Sequence, residues 1–369
     1  MAGSAGDAGP AGPPLTALRL LVGAYTQPEP HAPDANGRGI SLFHFDPAGG
    51  GLEERSLAAE LPNPSFLAAH PNGRAVYALS ELEAGRLSAF GVGPQGLSPL
   101  NSRSTEGSAP AHVSVDPLGR FVFAANYASG ASVALFPILP DGSLGPLAAS
   151  ARHQGHGPVE DRQDGPHAHC VCPAPDGRHL YAADLGTDEV VVYAVNDVAP
   201  QLTQLGELRL PPGSGPRHLS VHPDGRTAYL TLELSGQLAV LGRDPASGGL
   251  DLRQLLPTGP LPADPAVSPD GRFVYAASRG DNRISAFTVT PDTGELSPLE
   301  TVPALGRTPR SAALSPDGAF LLAANQDSDT VAVYRRDAQS GRLTDGRTVD
   351  CPTPTCFCFL DVADGTQVR

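Results

Sequence analysis

Glu81, His169, Arg217, Glu233, Arg279 and Arg310 are far apart in the chain, yet each stands at one of two fixed offsets from a repeated tetrapeptide. His169, Arg217 and Arg310 lie six residues before its proline; Glu81, Glu233, Arg279 and Tyr127 lie ten after it. Brought together, such groups supply a proton acceptor, cationic donors for developing negative charge, and a guanidinium fork for an anion. Asn126, Asp184 and Asn325, one position before the second offset, are further candidates for substrate contact. No Ser sits in a Gly-x-Ser-x-Gly turn, so a covalent serine mechanism is not expected.

The tetrapeptide that sets this register is Pro-x-Gly-Arg, recurring at Pro71, Pro117, Pro175, Pro223, Pro269 and, with Ala319 replacing Arg, Pro316. Pro fixes the first turn angle and Gly takes the positive φ, so each copy joins two strands. The prolines are spaced 46, 58, 48, 46 and 47 residues apart, the length of one four-stranded blade. A blade cannot bury both faces alone, so the repeat predicts an all-β fold, a β-propeller of antiparallel four-stranded blades. Six second strands follow the phrases, and Leu20 to Thr26 makes a seventh without its own inner strand. Seven blades are therefore expected, the ring being closed by Thr353 to Leu360 from the C-terminal end. The offsets then place the charged residues on one face, around the central channel. Small residues such as Ala124, Ala125, Ala276 and Ala277 precede them, as strands converging on an axis require. Charge at so crowded a centre is costly unless paired or used.

The 369 residues read as one propeller over 15–369, with 1–14, rich in Ala, Gly and Pro, as a disordered tail that is not a signal peptide. The net charge of −14 and the dispersal of the 25 basic residues along the chain argue against nucleic-acid partners. No apolar run reaches spanning length, so no membrane partner is expected. Five Cys (Cys170, Cys172, Cys351, Cys356, Cys358) fit a reducing cytoplasm, packing as small hydrophobes. Trp is absent, unlike tryptophan-aspartate propellers. Oligomeric state leaves no signal.

The 58-residue interval marks an insertion at about 152–164, a polar loop that could close over a substrate and that carries Arg162. It leads into Gly165-Pro166-His167-Ala168-His169, where alternation puts both imidazoles on one side of a strand. No third ligand is evident, so acid/base or hydrogen-bonding work is expected of them and no metal or other cofactor. His70 and His222 fall on the far face, while His112 and His218 are out of phase with the ring; all four are expected to pack or meet solvent.

Glu160-Asp161-Arg162-Gln163 with Gly165-Pro166-His167-Ala168-His169, Asn63-Pro64-Ser65-Phe66, Asp184-Leu185-Gly186-Thr187-Asp188, Gly215-Pro216-Arg217-His218, Glu233 and Ser278-Arg279-Gly280-Asp281-Asn282 together resemble the seven-bladed propeller lactonase family over about residues 18 to 360. Its members include propeller-type 6-phosphogluconolactonases and the fungal carboxy-muconate lactonizing enzyme. The resemblance implies a small anionic lactone as substrate, no cofactor, and hydrolysis of 6-phosphoglucono-1,5-lactone in the oxidative pentose phosphate pathway. It carries a His, two Arg and a Glu onto His169 (with His167 as neighbour), Arg217, Arg279 and Glu233. Glu233 is then the expected base, His169 an alternate base or proton donor, and the two Arg stabilise the oxyanion or clamp phosphate. A muconate-type cycloisomerase and a non-catalytic binding propeller are the alternatives.

Overall fold

The computed structural model describes residues 17–94, 96–196 and 200–360; the expected tail over 1–14 lies outside them. Seven sheets of four antiparallel strands form the described chain, with one short 3-10 turn at Gln326–Ser328. Blade one consists of Pro354–Phe359, Leu18–Ala24, Ile40–Phe45 and Leu52–Ala59, so the two chain ends share a sheet. Leu20 pairs with Phe359 and Val22 with Phe357. The inner strands of blades two to seven begin at Leu67, Pro110, Ala168, Pro216, Pro262 and Pro309.

The turn phrases behave as their chemistry requires. Gly73, Gly119, Gly177, Gly225, Gly271 and Gly318 all have φ between 65° and 70°, where a Cβ would be strained. Burial falls outward from the axis: the second strands, such as Phe121–Asn126 and Phe273–Ser278, are buried throughout, whereas the fourth strand Gln201–Arg209 is mostly exposed. The core lies between blades, where neighbouring sheets pack Ala, Val, Leu and aromatic side chains.

Polar ties repeat with the same period. The hydroxyls of Tyr77, Tyr181, Tyr229 and Tyr275 donate to the carbonyls of Gly142, Gly248, Gly294 and Gly341 in the next blade. On the turn face, His70 and His222 reach the carbonyls of Gly119 and Gly271, the glycines of the following phrase. The five cysteines are free, buried thiols; burial pushes Cys351, Cys356 and Cys358 up to about 12. No described helix is long and apolar enough to cross a membrane.

One irregularity positions the site. Five inner strands carry a β-bulge at their first residues: between Pro110 and His112, Ala168 and Cys170, Pro216 and Leu219, Pro262 and Pro265, and Pro309 and Ser311. His169 and Arg310 are thus extra residues, while Arg217 and His218 together oppose Thr231. A bulge breaks alternation and re-aims a side chain, here at the channel mouth.

Candidate active site

Glu233, at the end of the second strand of blade five, is the centre of the charged face. Its side chain is 3% exposed. Oε1 accepts from Arg162 Nη2 at 2.5 Å and Oε2 from Arg279 Nη2 at 2.5 Å. Arg217 Nε lies 3.0 Å from Oε2, but its N–H is off-axis, so this contact is an ion pair without a hydrogen bond. Burial alone would raise the Glu233 carboxyl, yet Arg279, Arg217 and Arg162 outweigh it and lower it to about 2.

Arg162 comes from the inserted loop and also touches the Tyr127 hydroxyl. The loop is pinned beside it: Gln163 Nε2 donates to the Leu185 carbonyl and to Asp188 Oδ1, each at 2.8 Å. The insertion therefore covers one side of the mouth and places a cation on Glu233.

His169 is buried against Tyr127, with ring centroids 5.6 Å apart, and against His218 at 5.1 Å. Its Nδ1 is buried without a hydrogen-bond partner. Burial, reinforced by Arg217, holds the imidazole well below its ordinary value, so it is neutral at physiological pH. His167 stacks on Tyr127 itself, with ring centroids 4.6 Å apart; its nitrogens are occupied by the Tyr127 carbonyl and Asp164. That makes His167 a brace for Tyr127 and leaves His169 as the open imidazole.

Across the ring, Arg310 Nη2 donates to the Tyr25 hydroxyl at 2.6 Å, and Tyr25 donates to Glu81 Oε2 at 2.8 Å. His31 Nε2 approaches Glu81 at 3.9 Å.

Three expected contacts lie elsewhere. Asp184 is fully buried and accepts from the backbone N–H of His167, Gly186 and Thr187, with His153 on its other oxygen. Asn126 donates to the carbonyls of Thr105 and Ala131, and Asn325 to that of Ala304. One residue before the ring position, the strand points these side chains into the blade, where they clamp backbone and do not line the mouth.

His112 and His218, expected out of phase, face the channel because of the bulges. His218 Nδ1 lies 2.6 Å from Asp264 Oδ1, which also accepts from Arg217 Nη1 at 2.9 Å. His112 packs on Phe66 at 4.2 Å and on His218 at 4.9 Å. Burial pulls Asp264 upward, but His218 and Arg217 hold it below the ordinary carboxylate range. Asp264, Tyr25 and His31 escaped the sequence reading. Asp264 sits in a bulge, and blade one has no turn phrase to set the register of Tyr25. The signal for the bulges was present as Pro110, Pro216, Pro262 and Pro309, since Pro within a sheet favours strand starts and bulges.

Asp264 connects the inner strands of blades five and six beneath Glu233. Asp264→Asn is expected to cost about 3 kcal/mol of stability, because Arg217 and His218 lose a shared buried partner. Urea unfolding measures this, and an unchanged midpoint would reject the shared-partner role.

A cavity of about 440 Å³ lies away from this face. It fills the lower channel towards the turn phrases, meeting the charged layer through His112, His218 and Asp264. Among the described residues no group of three or more His, Cys, Asp or Glu is arranged to hold a metal ion.

A buried carboxylate ringed by guanidinium groups beside a neutral imidazole is equipped for electrostatic and proton-transfer chemistry on an anion. The family model described as "Lactonase, 7-bladed beta-propeller" matches residues 19–359. The chain belongs to this family. It joins a class of lactone-hydrolysing enzymes. A 6-phosphogluconolactonase of Bacillus subtilis is 36% identical over 297 residues, covering 77% of this chain and 81% of the relative. A solved putative 6-phosphogluconolactonase from Bacteroides fragilis superposes with a TM-score of 0.87 at 32% identity, covering 95% of this lactonase and 100% of that chain. The periplasmic gluconolactonase of Pseudomonas aeruginosa gives 0.86 at 35% identity, covering 94% and 99%.

Proposed function

We propose that the protein hydrolyses 6-phosphoglucono-1,5-lactone to 6-phosphogluconate in the cytoplasm, within the oxidative pentose phosphate pathway. The observation that carries this reading is local charge. Arg162, Arg217, Arg279 and Arg310 outnumber the carboxylates Glu233, Asp264 and Glu81 at the mouth of a protein whose net charge is −14. An anionic lactone finds there a local excess of positive groups set against the global field. The name of the Bacillus subtilis relative supports the same substrate.

Both oxygens of Glu233 are engaged by guanidinium donors, and its proton affinity is low, which argues against it as the base. We assign that role to His169, which is neutral and has an unpartnered Nδ1. Water attacks C1 as His169 takes its proton, forming a tetrahedral oxyanion stabilised by Arg217 and Arg279. The C1–O5 bond then breaks, and the proton held by His169 passes to the departing ring oxygen. Glu233 holds the three cations in place. The negative charge of the bound substrate raises the proton affinity of His169 when it is needed.

A second reading is favoured by the gluconolactonase from Pseudomonas aeruginosa: an unphosphorylated aldonolactone as substrate. Purified protein assayed on 6-phosphogluconolactone, gluconolactone and a muconolactone, above their uncatalysed rates, separates these readings. A preference for the first is expected; acceleration of none would sink hydrolysis. Because a base must be unprotonated and His169 is shifted downward, kcat/KM is expected to stay level as pH falls through 6.5 and to decline only at more acidic pH. A midpoint at or above 6.5 would reject His169 as the base.

A further inference from the structure

We infer that Arg310, braced by Tyr25, is the seat of the substrate's distal oxyanion and sets the preference for charged over neutral lactones. The inference rests on the lactone-hydrolase reading above and adds which group recognises the charge.

The four guanidinium groups at the mouth are not equivalent. Arg162, Arg217 and Arg279 each contact Glu233, and Arg217 also contacts Asp264. An anion added beside them would meet the Glu233 carboxylate at close range. Arg310 has no carboxylate contact among the described residues; its hydrogen-bond partner is a phenol. Tyr25 is fully buried, and burial raises its hydroxyl well above the ordinary value, so the partner stays neutral. The Tyr25 proton is directed to Glu81, which leaves the phenolic lone pair to receive Arg310 Nη2. The guanidinium carbon also lies 5.0 Å from the centroid of the Tyr25 ring. Arg310 is thereby oriented by hydrogen bonding and cation–π contact while its charge is left uncancelled by any direct ion pair. It is half-buried, between the Arg217 side chain at 2% exposure and that of Arg162 at 38%.

Position in the ring supplies the second argument. Arg310 is the second residue of the inner strand of blade seven and His169 that of blade four, three blades apart in a ring of seven. The two stand on opposite sides of the mouth. A ligand with its carbonyl over His169 and its anionic group on Arg310 must carry the anion on a side arm that reaches away from the carbonyl. A 6-phosphorylated aldonolactone does so, and so does a lactone bearing a carboxylate side chain. The shared chemistry is an oxyanion remote from the reacting carbonyl, matched to a guanidinium fork.

The test compares wild type, Arg310→Gln and Arg310→Lys on 6-phosphogluconolactone, gluconolactone and a carboxylate-bearing muconolactone. Arg310→Gln is expected to raise KM for the phosphorylated lactone about thirtyfold, the loss of a charge-assisted hydrogen-bond pair, with a much smaller change for gluconolactone. Arg310→Lys, which keeps charge and loses the fork, should recover part of the loss. An equal loss on muconolactone identifies the seat as a general oxyanion site; loss confined to the phosphorylated lactone identifies phosphate. Equal losses on charged and neutral lactones would overturn the assignment. If wild type hydrolyses none of the three, the catalytic reading fails, and calorimetric titration with 6-phosphogluconate and gluconate still decides the seat. Phosphate-dependent binding lost in Arg310→Gln and partly kept in Arg310→Lys supports it; binding indifferent to the substitution rejects it.

Discussion

Glu233→Gln is expected to lower kcat/KM on the responsive lactone by about 10²- to 10³-fold and to destabilise the fold by about 3–5 kcal/mol. Both effects have one cause. The carboxylate is 3% exposed and is shared by Arg162, Arg217 and Arg279. Glutamine keeps the shape but leaves three cations facing one another in a poorly hydrated mouth, so the guanidinium groups spread apart and the oxyanion donors lose their aim. Steady-state kinetics and urea unfolding check the two halves. Wild-type values in both would remove Glu233 from the centre of the site. The substitution should also alter acid unfolding. The carboxyl is lowered from 4.5 to about 2 in the folded protein, so its contribution is complete above about 4.5 and is lost as pH falls towards 2. The variant should therefore show a shallower loss of stability across that window.

Ending the chain after Thr353 is expected to abolish the cooperative unfolding transition or leave the protein insoluble. Blade one would lose Pro354–Phe359, and with it the pairing to Leu18–Ala24. The exposed row of Leu20, Leu21 and Val22, now fully or nearly fully buried, would become an unpaired apolar edge. Thermal unfolding followed by near-ultraviolet circular dichroism measures the outcome. A truncated chain that melts like the full one would show that the ring does not depend on this strand.

How much of this was legible in the sequence depended on where the local rule matched the period. Pro and Gly at the turns repeat because their φ requirements repeat, so blade number, blade length and the closing strand could be read directly. The ring offsets likewise brought Glu81, Tyr127, His169, Arg217, Glu233, Arg279 and Arg310 to one face. The offset reading then failed at two levels. It treated Asn126, Asp184 and Asn325 as neighbours of the mouth, though a strand turns successive side chains to opposite sides. It also set aside His218 and passed over Asp264, because a bulge shifts the phase within a strand that otherwise keeps it. Tyr25 was missed for a different reason. Its blade is assembled from two distant segments, and no turn phrase connects its inner and second strands.

That split blade has a consequence for synthesis. Tyr25 is synthesised before Glu81 and Arg310, yet its N–H is held by the carbonyl of Thr353, which follows all three, at 3.2 Å. A nascent chain can stack blades two to seven as they appear, but the brace for Arg310 has no fixed place until Pro354–Phe359 has emerged. Closure of blade one and fixing of Tyr25 are thus tied together, and a chain that stops short of Pro354–Phe359 has neither.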